Sequence, residues 1–130
     1  MSTYFLAANT GFSLLGHAWG MARASNVGLV FEAGSMPRFS GVEELAAQGY
    51  LTKGDRTNRE YLGDNIQIDA AVPEDLVRVL YDPQTSGGLL VSISGEDAKD
   101  FVARLKKEGV RQAALVGRVV REHQGRIKVR

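Results

Sequence analysis

The sequence contains no cysteine. That absence excludes disulfides, thiolate metal sites and a cysteine nucleophile, and it fits a reducing compartment. Histidine is nearly as scarce: the two residues, His17 and His123, stand far apart in the chain. Neither has a second histidine or a carboxylate at ligand spacing, and no serine sits in a nucleophile elbow. No apolar run approaches the roughly twenty residues that cross a bilayer. The apolar stretch from Met1 to Ala8 lacks the basic start and cleavage pattern of a signal peptide. Nor does one charge dominate. Sixteen basic and fifteen acidic residues leave a net charge of +1, whereas a nucleic-acid binder concentrates basic residues on one face. The densest basic group, Arg104, Lys106, Lys107 and Arg111, is offset by Asp100 and Glu108 and reads as a solvated helix face. These absences point away from nucleic acid and membranes and toward a cytoplasmic protein.

What is present suits one domain over residues 1–130, with 44% hydrophobic and 24% charged residues. Leu14, Leu15, Ala18, Met21 and Ala22 recur at helical spacing, with Thr10 as an N-cap and Ser25-Asn26 as the exit. Val27 to Ala33 reads as a strand, broken by Gly34 to Pro37. A second helix opens at Ser40 or Gly41, carries Val42, Leu45 and Ala46, and closes at Gly49. Residues 50 to 64 show no sustained period and read as a long ordered loop, a feature often tied to function. Ile66 and Ile68 suggest a short strand. Pro73, Glu74 and Asp75 suit the first turn of a helix that turns Leu76, Val77, Val79 and Leu80 inward and stops before Asp82-Pro83.

Leu89 to Ile93 is the strongest strand signal and is expected to be central. Ser94 caps a helix from Gly95 to Glu108 with Ala98, Phe101, Val102 and Leu105 as its buried stripe, ended by Gly109. Ala113 to Val120 and Arg126 to Val129 read as the last strands, joined by a polar turn at Gln124-Gly125. The order αβαβαβαββ implies a mixed α/β (α+β) sandwich built on one sheet.

Two segments stand out chemically. In Asp82-Pro83-Gln84-Thr85-Ser86-Gly87-Gly88-Leu89-Leu90, consecutive small residues let the backbone approach a ligand. Free N–H groups there, with the Thr85 and Ser86 hydroxyls, can cradle an anion. The same residues also suit a plain tight turn in which Gly87 and Gly88 supply positive φ. It is not a nucleotide phosphate loop, because no lysine follows the glycines and no helix starts there. The second segment, Thr10-Gly11-Phe12-Ser13-Leu14-Leu15-Gly16-His17, opens a helix whose N-terminal N–H groups suit an anion or simply an ordinary cap. His17 reads as structural, His123 as exposed, and Trp19 as core or interface packing. Phe39, Tyr50 and Tyr61 either form an exposed apolar patch or join the core, and core use is the more common fate.

In this order the two segments resemble the C-terminal domain of selenophosphate synthetases, within the superfamily of aminoimidazole ribonucleotide synthetases. The family pattern runs D-V-T-G-F-G-L-L-G-H, M-A-R-A-S, L-A-A-Q-G, T-x-x-N-x-E-Y-L-G and F/Y-D-P-Q-T-S-G-G-L-L. Matching residues are Thr10 to Phe12, Leu14 to His17, Met21 to Ser25, Leu45 to Gly49, Asn58 to Gly63 and Tyr81 to Leu90. The resemblance implies α/β/α layers, partly ferredoxin-like. It also implies a parent reaction in which ATP, selenide and water give selenophosphate, AMP and phosphate with magnesium. In the family an N-terminal domain supplies the cysteine or selenocysteine, an essential lysine, most metal carboxylates and the dimer barrel, and these 130 residues contain none of it. The family's metal-binding aspartate falls at Ala8, which offers no oxygen ligand. The next residue is Asn9, and the family's glycine after Phe12 is Ser13.

The expectation is a domain inactive alone, with no catalytic or metal-binding residue of its own and no cofactor held by itself. It would work with the N-terminal domain in cis or in trans, or pair as a homodimer through the surface that domain would cover. Thr10, Gly11, Thr85, Ser86, Gly87 and Gly88 are the expected phosphate, ligand or interdomain contacts. The alternative is a standalone ligand-binding or regulatory domain acting with a separate N-terminal partner.

Overall fold

The alternation Ile127-Lys128-Val129 shows how the main sheet is built: the two apolar residues are fully buried, and the lysine between them faces the other side. A computed structural model describes residues 5–8 and 11–130. Its elements are β1 (Phe5–Ala8), α1 (Ser13–Ala24), β2 (Gly28–Phe31), α2 (Val42–Ala47), α3 (Lys53–Leu62), β3 (Ile66–Ile68), α4 (Glu74–Tyr81), β4 (Leu89–Ser92), α5 (Ala98–Lys107), β5 (Gly117–Val120) and β6 (Ile127–Val129). Short 3-10 turns lie at Ala33–Ser35 and Gly63–Asn65.

The mixed α/β class expected from the sequence is the one observed, but the strands form two sheets instead of one. A four-stranded sheet has the order β3-β6-β2-β5, and a separate ribbon pairs β1 with β4. In the larger sheet β6 runs parallel to both β2 and β3, while β5 is antiparallel to β2. One face of it carries Leu29, Phe31, Ile66, Ile127 and Val129, which join Leu15, Ala18 and Ala22 of α1 and Leu76, Val77, Leu80 and Tyr81 of α4 in one core. The spacing of the α1 residues, three then four apart, is the stripe a sheet-packed helix needs. Trp19, half-buried, ties α1 to two neighbours: its Nε1–H donates to the Gly125 carbonyl at 3.0 Å, and its ring meets Tyr61 edge-on at 5.8 Å.

Several boundaries differ from the sequence reading. Residues 50 to 64 are not a loop; they contain α3. Thr10 lies outside the described residues, and within α1 it is the buried Ser13 whose Oγ accepts the Gly16 N–H at 3.2 Å. The strand expected from Val27 to Ala33 shortens to β2, because Ala33–Ser35 tightens into a 3-10 turn. Similarly, the strand expected from Ala113 is only β5. The helix after Ser94 starts at Ala98, and its apolar stripe is half-buried at best. Val79 is likewise half-buried. Leu89 to Ile93 is not central: β4 sits in the two-stranded ribbon, where Leu89 is 64% exposed. Phe39, Tyr50 and Tyr61 stay out of the core, Phe39 being 91% exposed.

Truncating Ile127 to alanine should lower unfolding free energy by about 2–5 kcal/mol, because the residue is sealed on the core face. The exposed Leu115→Ala should stay within about 1 kcal/mol of the parent. Urea unfolding of both variants checks the assigned faces, and similar losses for the two would contradict them.

Candidate functional site

Two features bring the glycine-bearing segments together. The first is strand pairing: Ala8, the last residue of β1, lies opposite Leu89, the first of β4. The stretch leading into α1 therefore leaves the ribbon where the Thr85–Gly88 turn enters it. The second is a single side-chain amide. Asn58, 8% exposed in the middle of α3, donates through Nδ2 to the Tyr81 carbonyl at 3.0 Å and more weakly to the Gly11 carbonyl at 3.5 Å. One polar group thus satisfies the C-terminal end of α4 and the turn that opens α1, a use of orphan carbonyls that helix ends require.

The N-cap and first turn of α3 grip the start of the Asp82–Leu90 segment. Thr52 Oγ1 donates to Asp82 Oδ1 at 3.0 Å. Gly54 lies under the Pro83 ring, so closely that a Cβ would collide with it. Beside it, Asp55 is 9% exposed and its Oδ1 has no hydrogen-bond partner among the described residues. Burial pushes the Asp55 pKa above its ordinary value; Arg59 and Arg78 pull it down, and Asp82 and Glu74 add to the rise. Arg59 in turn is held by Glu74 at 2.5 Å and lies over the Tyr81 ring, 5.6 Å from its centroid. The hydrogen bond from Arg59 holds the Glu74 carboxyl below its usual range, while burial raises the Tyr81 hydroxyl.

Beyond Pro83 the chain is open. Thr85 and Ser86 are exposed, and the N–H groups of Gln84 to Gly87 donate to no described residue. Gly87 and Gly88 are absent from the described residues with positive φ, which removes the turn-chemistry reason for glycine expected there from the sequence. Around Gly11 and Gly88 no described atom lies within 4 Å of where a Cβ would stand. Among the described residues, packing therefore gives no reason for glycine at these two positions. Ser13 is the reverse case: its φ of 70° is left-handed, a conformation natural to glycine and costly for serine. His17 packs edge-on against Phe12 at 6.0 Å, and His123 is exposed in its turn. Among the described residues no group of three or more His, Cys, Asp or Glu could hold a metal ion. Sequence reading missed Asp55, and it reached Asn58 only through the family pattern. A polar residue buried on a polar helix gives no apolar signal.

Replacing Asp55 with asparagine should stabilise the protein in a pH-dependent way. The folded carboxyl has a raised pKa, so its penalty is absent below the ordinary value of 3.8 and grows as pH rises through the folded value. The variant and parent should match in acid, and the variant should gain on the order of 1 kcal/mol at neutral pH. Urea midpoints measured across pH check this, and a gain that is independent of pH would contradict it. Gly54→Ala should cost about 1–3 kcal/mol through the Pro83 clash.

Over 121 residues the chain is 40% identical to a selenide, water dikinase of Caldanaerobacter subterraneus subsp. tengcongensis, covering 93% of this chain and 35% of that protein. It is 38% identical to the selenide, water dikinase of Clostridioides difficile over 85% of this chain and 32% of that one. Against the Pelobacter propionicus selenide, water dikinase, identity is 39% over 92% of this chain and 34% of the relative. The chain thus spans about a third of the length of the curated relatives it matches. The family described as AIR synthase related protein, C-terminal domain, matches residues 8–130, and the chain belongs to it.

Proposed function

We propose that the chain is the C-terminal domain of a selenophosphate synthetase, serving a parent reaction of ATP, selenide and water to selenophosphate, AMP and phosphate. The observation that carries this reading is the pair of glycines, Gly11 and Gly88, for which packing among the described residues gives no reason. A backbone kept bare toward open space is a backbone that something else approaches. The N–H groups of Gln84 to Gly87, which donate to no described residue, and the Thr85 and Ser86 hydroxyls fit an anionic group such as a phosphate of ATP, or polar backbone of a neighbouring domain. The asparagine clasp holds both segments in one place for that contact.

Magnesium, implied for the parent reaction, does not fit the donors here. Position 8 is alanine, and no carboxylate group among the described residues assembles to replace it. No step is assigned to the metal in this domain. The proposed role is to complete a site whose nucleophile, lysine and metal carboxylates lie in an N-terminal portion, joined in cis or supplied in trans. The same open surface suits self-pairing when that portion is absent. Ala8 favours a second reading, in which the domain binds a ligand or regulates a separate partner without taking part in turnover.

The purified chain should produce no AMP from ATP and selenide, and turnover by this chain alone would overturn the proposal. Adding the N-terminal portion of a relative should give a complex detectable by sedimentation. Gly88→Val should abolish that complex while leaving unfolding free energy within about 1 kcal/mol, since the position is open and its φ ordinary. A complex that forms without turnover would support the regulatory reading.

A further inference from the structure

The face of the four-stranded sheet opposite the core carries a second arrangement that the proposed function does not use. Strand register places Gln67 of β3 beside Lys128 of β6, Lys128 beside Val30 of β2, and Val30 beside Arg118 of β5. Side chains alternate faces along a strand, so this row crosses the sheet on the side away from Ile127 and Val129. It forms the floor of a concavity of about 520 Å³, to which no helix contributes a residue. Small-molecule sites span about 300–1,000 Å³.

The charges in the row are not used up internally. Lys128 is half-buried and makes no ion pair with any described residue. Arg118 reaches Glu32 only at 3.6 Å, while Arg130 takes the same carboxylate oxygen at 2.7 Å. The Gln67 amide is exposed and makes no hydrogen bond with any described residue. Val30, only 6% exposed, lies between the lysine and arginine as an apolar floor. A stemmed ammonium and a guanidinium flanking an apolar residue, with an amide at one end, form a donor set for one oxyanion. Each end of the concavity holds a carboxylate, although Arg130 and His123 also line it. Asp69 already accepts the Ala71 N–H at 2.8 Å, and Glu122 stands beside His123. Carboxylates at both ends oppose a continuous polyanion such as nucleic acid and leave room for one anionic group.

We infer that the outer face of the sheet is a binding site for a small metabolite carrying one phosphate or carboxylate, held by Lys128 and Arg118 and oriented by Gln67. The site is separate from the Gly11 and Thr85–Gly88 surface and does not depend on it.

The test is a backbone-amide NMR titration of the 130-residue chain at constant ionic strength, with inorganic phosphate in one arm and acetate in the other. Saturable shifts at Val30, Gln67, Arg118 and Lys128 are expected in at least one arm, with dissociation constants on the order of millimolar. The stronger arm identifies the anion class. Lys128→Met keeps the stem over Val30 and should weaken binding about tenfold or more, whereas Thr85→Ala should leave it unchanged. Arg118→Gln serves as a second variant should Lys128→Met lose the fold. Shifts absent from the row, confined to Thr85–Gly88, or indifferent to both row variants would overturn the inference. Shifts confined to Thr85–Gly88 would at the same time support the function proposed for that segment.

Discussion

The side-chain amide of Asn58 is the contact on which the site depends. It lies inside a protein interior, and its donors go to two carbonyls that are distant in sequence, those of Tyr81 and Gly11. An unpaired buried carbonyl costs about 1–3 kcal/mol, so the amide does more than decorate α3. It sets where α4 ends, and thus where the Asp82–Leu90 segment begins, relative to the entry into α1. Thr52 on Asp82 and Gly54 under Pro83 act on the same segment from one turn earlier. The three contacts all come from α3, the helix with the least apolar sequence in the fold, and the N-cap residue before it.

That composition explains why α3 could not be read from periodicity. Its buried residues are Asp55, Asn58 and Leu62, three and four apart as helix geometry demands. Two of the three are polar, so a search for apolar recurrence passes over them. By contrast α1 and α4 bury Leu15, Ala18 and Ala22, and Leu76, Val77 and Leu80, and their stripes were plain. β4 was legible as a strand but not by location, because its partner is β1, more than eighty positions earlier, and alternation says nothing about pairing. Leu89 and Val91 look like core residues and are exposed on a ribbon. The Gly87-Gly88 pair was legible as unusual. Only the structure showed that turn geometry does not require it, since neither glycine takes a positive φ.

The two faces of the main sheet divide the molecule by chemistry. Toward α1 and α4, strands β2, β3 and β6 contribute aliphatic or aromatic side chains, and stability resides there. The other side has Lys128 and Arg118 about an apolar floor, with no helix over it. The family match runs from residue 8 to the last residue and covers both faces, yet the relatives are about three times as long. A domain that matches about a third of its relatives' length need not hold the whole of a reaction. Position 8 illustrates the difference: the backbone there pairs with β4 as the ribbon requires, while its alanine brings no ligand oxygen.

The central claim is that one asparagine couples the two segments of the site. Amide hydrogen exchange in the parent and in Asn58→Ala, both under conditions where the fold persists, tests it most directly. The account predicts that exchange quickens together in residues 11–16 and 82–88 while β2 and β6 keep their protection. Quickening confined to α3, or spread evenly over the whole chain, would contradict it.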